Sequence, residues 1–291
     1  MKSVAFKANP GRMGYRELYR VCGKFSTGVL ACGLKFFRLL RAQRDGFGMR
    51  SFGDQLPTCD IDSLPRRVLS EMDGYLDDLE KIGFIPCFAY SLESYGSQEG
   101  HAIATRHKSG VAGGSVLYSR CVRGDQETEA TIFAYCTALA DDTYIMTSGT
   151  KKMMDKPDHV LGENMPGRSP KDVFERHIER LETAAALPLT IKTDDELEQL
   201  ILRYENEDTE FNFDRGVYVP MSRSEIRLGE ELQDEYQGGF GAGRRRRHLA
   251  AAGGRDDEDE DEDEDFEDED EDDPEDDDDS YSGEDDDGSR F

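Results

Sequence analysis

Between residues 62 and 82 the apolar positions are Leu64, Val68, Met72, Tyr75, Leu76 and Leu79, spaced by threes and fours. That period draws one stripe along a helix. It predicts a helix with Ser63 as N-cap, Pro65 in the first turn and Gly83 at the left-handed position that ends it. After Gly83 the period drops to two. Five segments (84–93, 100–108, 114–123, 128–139 and 143–150) are rich in β-branched and aromatic residues, divided by YGSQEG, SGVAGG, GDQE and ADD. Connections this short join antiparallel neighbours, so a meander of about five strands is predicted. In the third segment Val116, Tyr118 and Val122 oppose Leu117, Ser119 and Cys121. In the fourth, Ile132, Ala134 and Cys136 oppose Phe133, Tyr135 and Thr137, which predicts a strand covered on both faces.

A loop with prolines at 157, 166 and 170 is expected next. Ser169-Pro170-Lys171-Asp172 then combines an N-cap, an N1 proline and an early acid, opening a helix to about 184. Its apolar face holds Val173, Phe174, His177, Ile178 and Leu181. Residues 193–207 predict a third helix, with Leu197, Leu200, Ile201 and Tyr204 on its stripe. A short strand over 216–221 and a polar helix over 224–235 complete the pattern. The fold class read here is α+β: an N-terminal helix, an antiparallel meander of about five strands, then two or three helices. The domain is expected to span 51–236. The glycines in GGFGAG open a linker over 237–255.

Charge divides the chain. Residues 256–291 hold 26 Asp and Glu against one Arg, a net of −25, whereas the whole chain is −28. Such a run cannot bury apolar surface to offset its entropy and repels itself, so a disordered acidic tail is expected. It would keep the molecule soluble or engage a basic protein partner. Ahead of it stand Arg244, Arg245, Arg246 and Arg247, expected as binding residues that pair first with the acids on the same chain. Without interleaved aromatic residues they argue against nucleic acid as the partner.

The first 50 residues reverse the sign, with 11 Lys and Arg against only Glu17 and Asp45. Lys35, Arg38, Arg41 and Arg44 alternate with Leu34, Phe37 and Leu40, a basic amphipathic helix that suits a membrane surface. Two other readings stand beside it. The segment docks on its own domain, or it does not belong to the natural protein, because Met49 precedes a more convincing domain opening. The six cysteines form no CxxC pair and are expected as free thiols in the cytoplasm.

No nucleophile elbow, phosphate loop or zinc signature is present in the sequence, and no cofactor or metal is expected. His101 and His107 share a strand face but lie about 20 Å apart at about 3.3 Å per residue, too far to share a metal. His177, on an apolar helix face, is expected as a packed residue. The polar group to watch is at a strand end: Asp142, Ser148 and Lys151, which with His177 could serve a hydrolase or transferase if all four met in one pocket.

The order of a helix ending in IGF, strands, the stretch at 133–148, a proline-rich loop and SPKDVFERHIERL at 169–181 resembles uncharacterised bacterial proteins over about residues 64–184. That resemblance brings no activity with it. The helix–meander–helix order is also similar to small dimeric secretion-chaperone modules, which makes a homodimer compatible with the fold. The leading expectation is a non-enzymatic binding protein of unread ligand. An enzyme at Asp142, Ser148, Lys151 and His177 and a peripheral membrane protein are the alternatives.

Overall fold

The computed structural model of the protein describes residues 2–36, 40, 47–123 and 126–242. In chain order the elements are β1 (Ala5–Ala8), α1 (Tyr15–Cys22), α2 (Phe25–Phe36), β2 (Gly48–Arg50), β3 (Thr58–Cys59), α3 (Arg66–Lys81), β4 (Phe84–Ser91), β5 (Ser94–Tyr95) and β6 (Gln98–His107). There follow β7 (Gly113–Arg123), β8 (Gln126–Ala138), β9 (Tyr144–Ser148), β10 (Val160–Asn164), α4 (Pro170–Glu182), α5 (Asp194–Asp214), β11 (Tyr218–Pro220) and α6 (Arg223–Ala242). The fold is α+β.

The five expected strands form the antiparallel meander β4-β6-β7-β8-β9 at the heart of a seven-stranded sheet. Helices cover both of its faces. Val116, Tyr118, Phe133 and Tyr135 meet Val68 and Met72 of α3 and Val173 of α4. The opposite face, with Ala102 and Ala104, meets Leu197, Leu200 and Tyr204 of α5. The two-sided reading of β8 therefore has a packing cause. Gly113 lets α5 come close, and Gly114 makes room for its cross-strand partner Thr105. A methyl at Gly113 would stand 2.7 Å from Leu197, and one at Gly114 would stand 2.7 Å from Thr105 Oγ1.

Several boundaries differ from the sequence reading. Ser63 is not the N-cap of α3. It ends a 3-10 turn over Ile61–Ser63, donates to the Asp60 carbonyl at 2.5 Å, and leaves Pro65 in the capping position. The proline ring carries no acceptor for the first N–H groups, so the helix starts without a side-chain cap. The expected loop after β9 contains β10, which pairs with β9 in parallel. Two apolar residues between prolines and glycines are too few to show a period. Helix α5 runs past residue 207 to Asp214, and α6 runs through Gly238 and Gly239 to Ala242, where a linker was expected. The capping box of α4, Ser169 with Asp172, forms as read.

A second sheet, in the order β11-β1-β2-β5, is antiparallel throughout and joins residues far apart in the chain: Phe6 pairs with both Pro220 and Met49. Residues 5–8 and 48–50 thus pair with strands of the segment 51–236. Glu17 of α1 is fully buried beneath this sheet. Its carboxylate accepts from Arg215 and from the backbone N–H groups of Gly14 (3.1 Å) and Asp155 (3.0 Å). Burial would raise its pKa, but these donors outweigh it and hold the group below the usual carboxylate value. Arg38, Arg41, Arg44, the arginines 244–247 and the acidic residues 256–291 lie outside the described residues.

Candidate functional site: a mixed-charge cleft between the sheets

One segment serves both sheets. The chain leaves β4 at Ser91, enters the second sheet as β5, turns at Gly96 (φ +78°) and returns as β6. The Gly96 N–H is anchored on the Gly229 carbonyl of α6 at 3.0 Å. A positive φ of this size suits glycine, which has no Cβ to clash. The bend opens a cleft of about 700 Å³ walled by Arg50, Tyr95, His101, Arg120, Glu230 and Tyr236, among others.

Register brings its polar groups together. Ser91 and His101 are cross-strand partners, and Glu99 lies two residues before His101 on the same face. Ser91 Oγ is 3.1 Å from His101 Nδ1, and His101 Nε2 is 3.1 Å from Glu99 Oε1. With the carboxylate accepting from Nε2–H, Nδ1 keeps its lone pair and accepts from the Ser91 hydroxyl. The serine proton therefore points at a base that a carboxylate orients. Arg50 Nε donates to the Tyr95 hydroxyl at 3.0 Å and pairs with Glu93 at 3.2 Å. Arg120 is buried, pairs with Glu127 at 2.5 Å, and lies over the Tyr236 ring at 5.1 Å. Each guanidinium is held by a carboxylate and meets a tyrosine, Arg50 at the Tyr95 hydroxyl and Arg120 at the Tyr236 ring, a use of several donors that suits Arg better than Lys.

The four residues expected at the strand end are distributed differently. Ser148 is buried, accepts from Asn164 Nδ2 at 2.8 Å, and shares a separate cleft of about 470 Å³ with Lys151, whose side chain is exposed. Asp142 occupies a left-handed turn position (φ +64°) and pairs with Arg203 of α5 at 3.0 Å. His177 lies on the other side of the sheet from Ser148, because adjacent residues of β9 point to opposite faces. Its Nδ1 meets Thr147 at 3.0 Å and its Nε2 meets Thr137 at 2.9 Å. The structure thus brings Ser148 and Lys151 together, and leaves Asp142 and His177 apart from them.

The hydroxyls around His177 fix its tautomer. Thr137 Oγ1 donates to the Val111 carbonyl at 2.8 Å, so it must accept from Nε2–H. Thr147 Oγ1 accepts from Arg180 at 2.8 Å, so its own proton goes to Nδ1. Burial, with the Arg180 charge adding to it, lowers the imidazole pKa to about 3. This histidine is neutral and fully engaged, as a packed residue should be.

Reasoning from sequence missed Ser91, Glu99 and His101 as a group. The spacing of Glu99 and His101 was visible, but their serine is found only through register. Among the described residues no cluster of three His, Cys, Asp or Glu could hold a metal ion. No helix among them is long and apolar enough to cross a membrane. No protein-family model, no curated protein and no solved structure matches this chain.

Proposed function

We propose that this is a binding protein of the cytoplasm with two recognition elements: the mixed-charge cleft on the folded unit, and the acidic residues 256–291, which draw a basic protein partner. The cleft carries the reading. At about 700 Å³ it is ligand-sized, and its wall presents two clamped arginines and two tyrosine rings beside Glu99 and Glu230. Such a wall suits a polar ligand or peptide that offers charges of both signs. The tail adds long-range attraction, since 26 acids against one Arg steer basic partners inward. Arg244, Arg245, Arg246 and Arg247 act as an internal competitor that a stronger basic partner displaces.

The test titrates a lysine-rich peptide against the full chain, a chain ending at residue 242, and the cleft variant Tyr236→Ala. Binding by the full chain is expected to weaken steeply with salt and to be lost on truncation, with a smaller loss for Tyr236→Ala. Equal binding by full and truncated chains would overturn the role of the tail.

An enzymatic reading has one observation in its favour, and it lies at Ser91, His101 and Glu99 instead of the strand-end group. In an ester hydrolysis Ser91 Oγ would attack the carbonyl carbon while its proton passes to His101 Nδ1. The imidazolium would then protonate the departing alkoxide, and water would release the acyl group by the reverse relay. Hydrolysis of p-nitrophenyl acetate that Ser91→Ala abolishes would support it; a rate unchanged in that variant would dismiss it.

A further inference from the structure

Helices α1 and α2 form a hairpin whose exposed surface differs from the rest of the molecule. Tyr15, Tyr19, Val21, Phe25, Val29, Leu30 and Phe36 supply seven of the thirteen large apolar side chains that stand exposed among the described residues. Phe25 is 76 % exposed and Leu30 63 %. Within α2 only Gly28 is buried, against the Tyr19 ring, where a methyl would come within 2.6 Å. That close seat joins the two helices and leaves the side chains at 25, 29 and 30 facing outward.

The same surface is basic. Residues 2–36 contain seven Lys and Arg and one acid, Glu17, which is buried and neutralised by Arg215. Some cations are occupied: Lys7 pairs with Glu225, Arg20 with Asp155 at 2.6 Å, and Lys35 donates to the carbonyls of Gly11 and Met13. Arg12, Arg16 and Lys24 are exposed at the ends and along the flank of the hairpin. We infer that the α1–α2 hairpin is a docking surface for an anionic lipid membrane, with Phe25, Val29 and Leu30 entering the headgroup boundary and Arg16 and Lys24 facing lipid phosphates.

The combination of apolar tips and unbalanced cations selects this occupant. A second copy of the chain would bury the apolar residues but bring two basic surfaces together, which like-charge repulsion opposes. The acidic residues 256–291 would satisfy the cations but include only three apolar rings, Phe266, Tyr281 and Phe291, scattered over 36 residues and too few to cover the hairpin. A lipid surface answers both needs at once. The 12 described residues of α2 are fewer than the roughly 20 a membrane span needs.

Co-sedimentation of the full chain with vesicles tests this, comparing phosphatidylcholine alone with phosphatidylcholine plus phosphatidylserine. Binding is expected only with phosphatidylserine. It should fall more than about tenfold in Phe25→Ser/Leu30→Ser and comparably in Arg16→Glu/Lys24→Glu. Both pairs change exposed side chains, so their thermal unfolding should match the parent and exclude misfolding as the cause. Equal binding to both vesicle types, or no binding to either, would overturn the inference. So would an oligomer of the parent chain that Phe25→Ser/Leu30→Ser converts to monomer without affecting lipid binding, since the apolar face would then belong to a second copy.

Discussion

The two faces of the seven-stranded sheet bury polar groups by opposite means. On the face under α3 and α4 the core is aromatic, with Phe84 stacked on Tyr135 and Phe174 edge-on to both. Its fully buried histidine, His177, is neutral and threaded into a single directed chain, from Arg180 through Thr147, His177 and Thr137 to the Val111 carbonyl. On the face under α5 the sheet contributes small side chains, Ser115, Ala134 and Cys136, and a cavity of about 80 Å³ remains. Beside it lie charges. Lys156 pairs with Asp208 at 3.0 Å and sits over the Tyr204 ring at 5.3 Å. Burial pushes the neighbouring Glu205 carboxyl up to about 7, with Lys156 opposing the rise. One face removes charge to gain uniqueness; the other keeps charge and leaves packing incomplete. Buried ions are costly even when paired, whereas a fully satisfied neutral chain is not.

The contrast can be broken most severely at His177. Replacing it by Ala opens a cavity and strips partners from Thr137 and Thr147, so unfolding by urea should show a loss of about 3–4 kcal/mol. On the other face Glu205→Gln should stabilise. Its carboxyl keeps a proton in the folded state up to about pH 7, whereas an unfolded one releases it near 4.5. The folded state therefore holds more protons between those values, and stability falls as pH rises through that window. The variant should gain on the order of 2–3 kcal/mol at pH 8 and almost nothing at pH 4.

His177 predicts the reverse slope. Unfolded, it takes a proton below about 6.5; folded, it refuses one until about 3. Stability carried by this group is complete above 6.5 and lost as pH falls, by about 2 kcal/mol at pH 5. Nitrogen NMR of the imidazole should show the Nε2–H tautomer with no titration down to pH 4. The smallest effect is expected at the cavity: Ala134→Val should change stability by less than about 1 kcal/mol, because the space under α5 accepts a methyl group or two. A loss of several kcal/mol there would show that the face is as tightly packed as its opposite.

The contrast also explains what could be read from sequence. The α3 stripe, the five meander strands and the stripe of α5 each carry enough residues for a period of 3.6 or 2 to emerge. Of the second sheet only β11 was legible, inside the short strand read over 216–221; β1, β2 and β5 are two to four residues long, and their partners are distant in the chain. The isolation of His177 on an apolar face was legible, but not the hydroxyls that hold it. Thr137 and Thr147 look like ordinary strand residues until register places them either side of the ring. The same limit hid Ser91, since a cross-strand contact has no fixed spacing in sequence.

The pairing of β1 with β11 has a consequence in time. Phe6 is synthesised more than two hundred residues before Pro220, one of its two strand partners. Until that strand arrives, β1 has an open edge and the carboxylate of Glu17 lacks Arg215, its only ionic partner among the bonds described. Contacts of such long sequence separation form slowly. The basic segment is therefore made well before β11 and is locked only after it. During that interval Phe6 and Glu17, both buried in the finished fold, lack the partners that cover them.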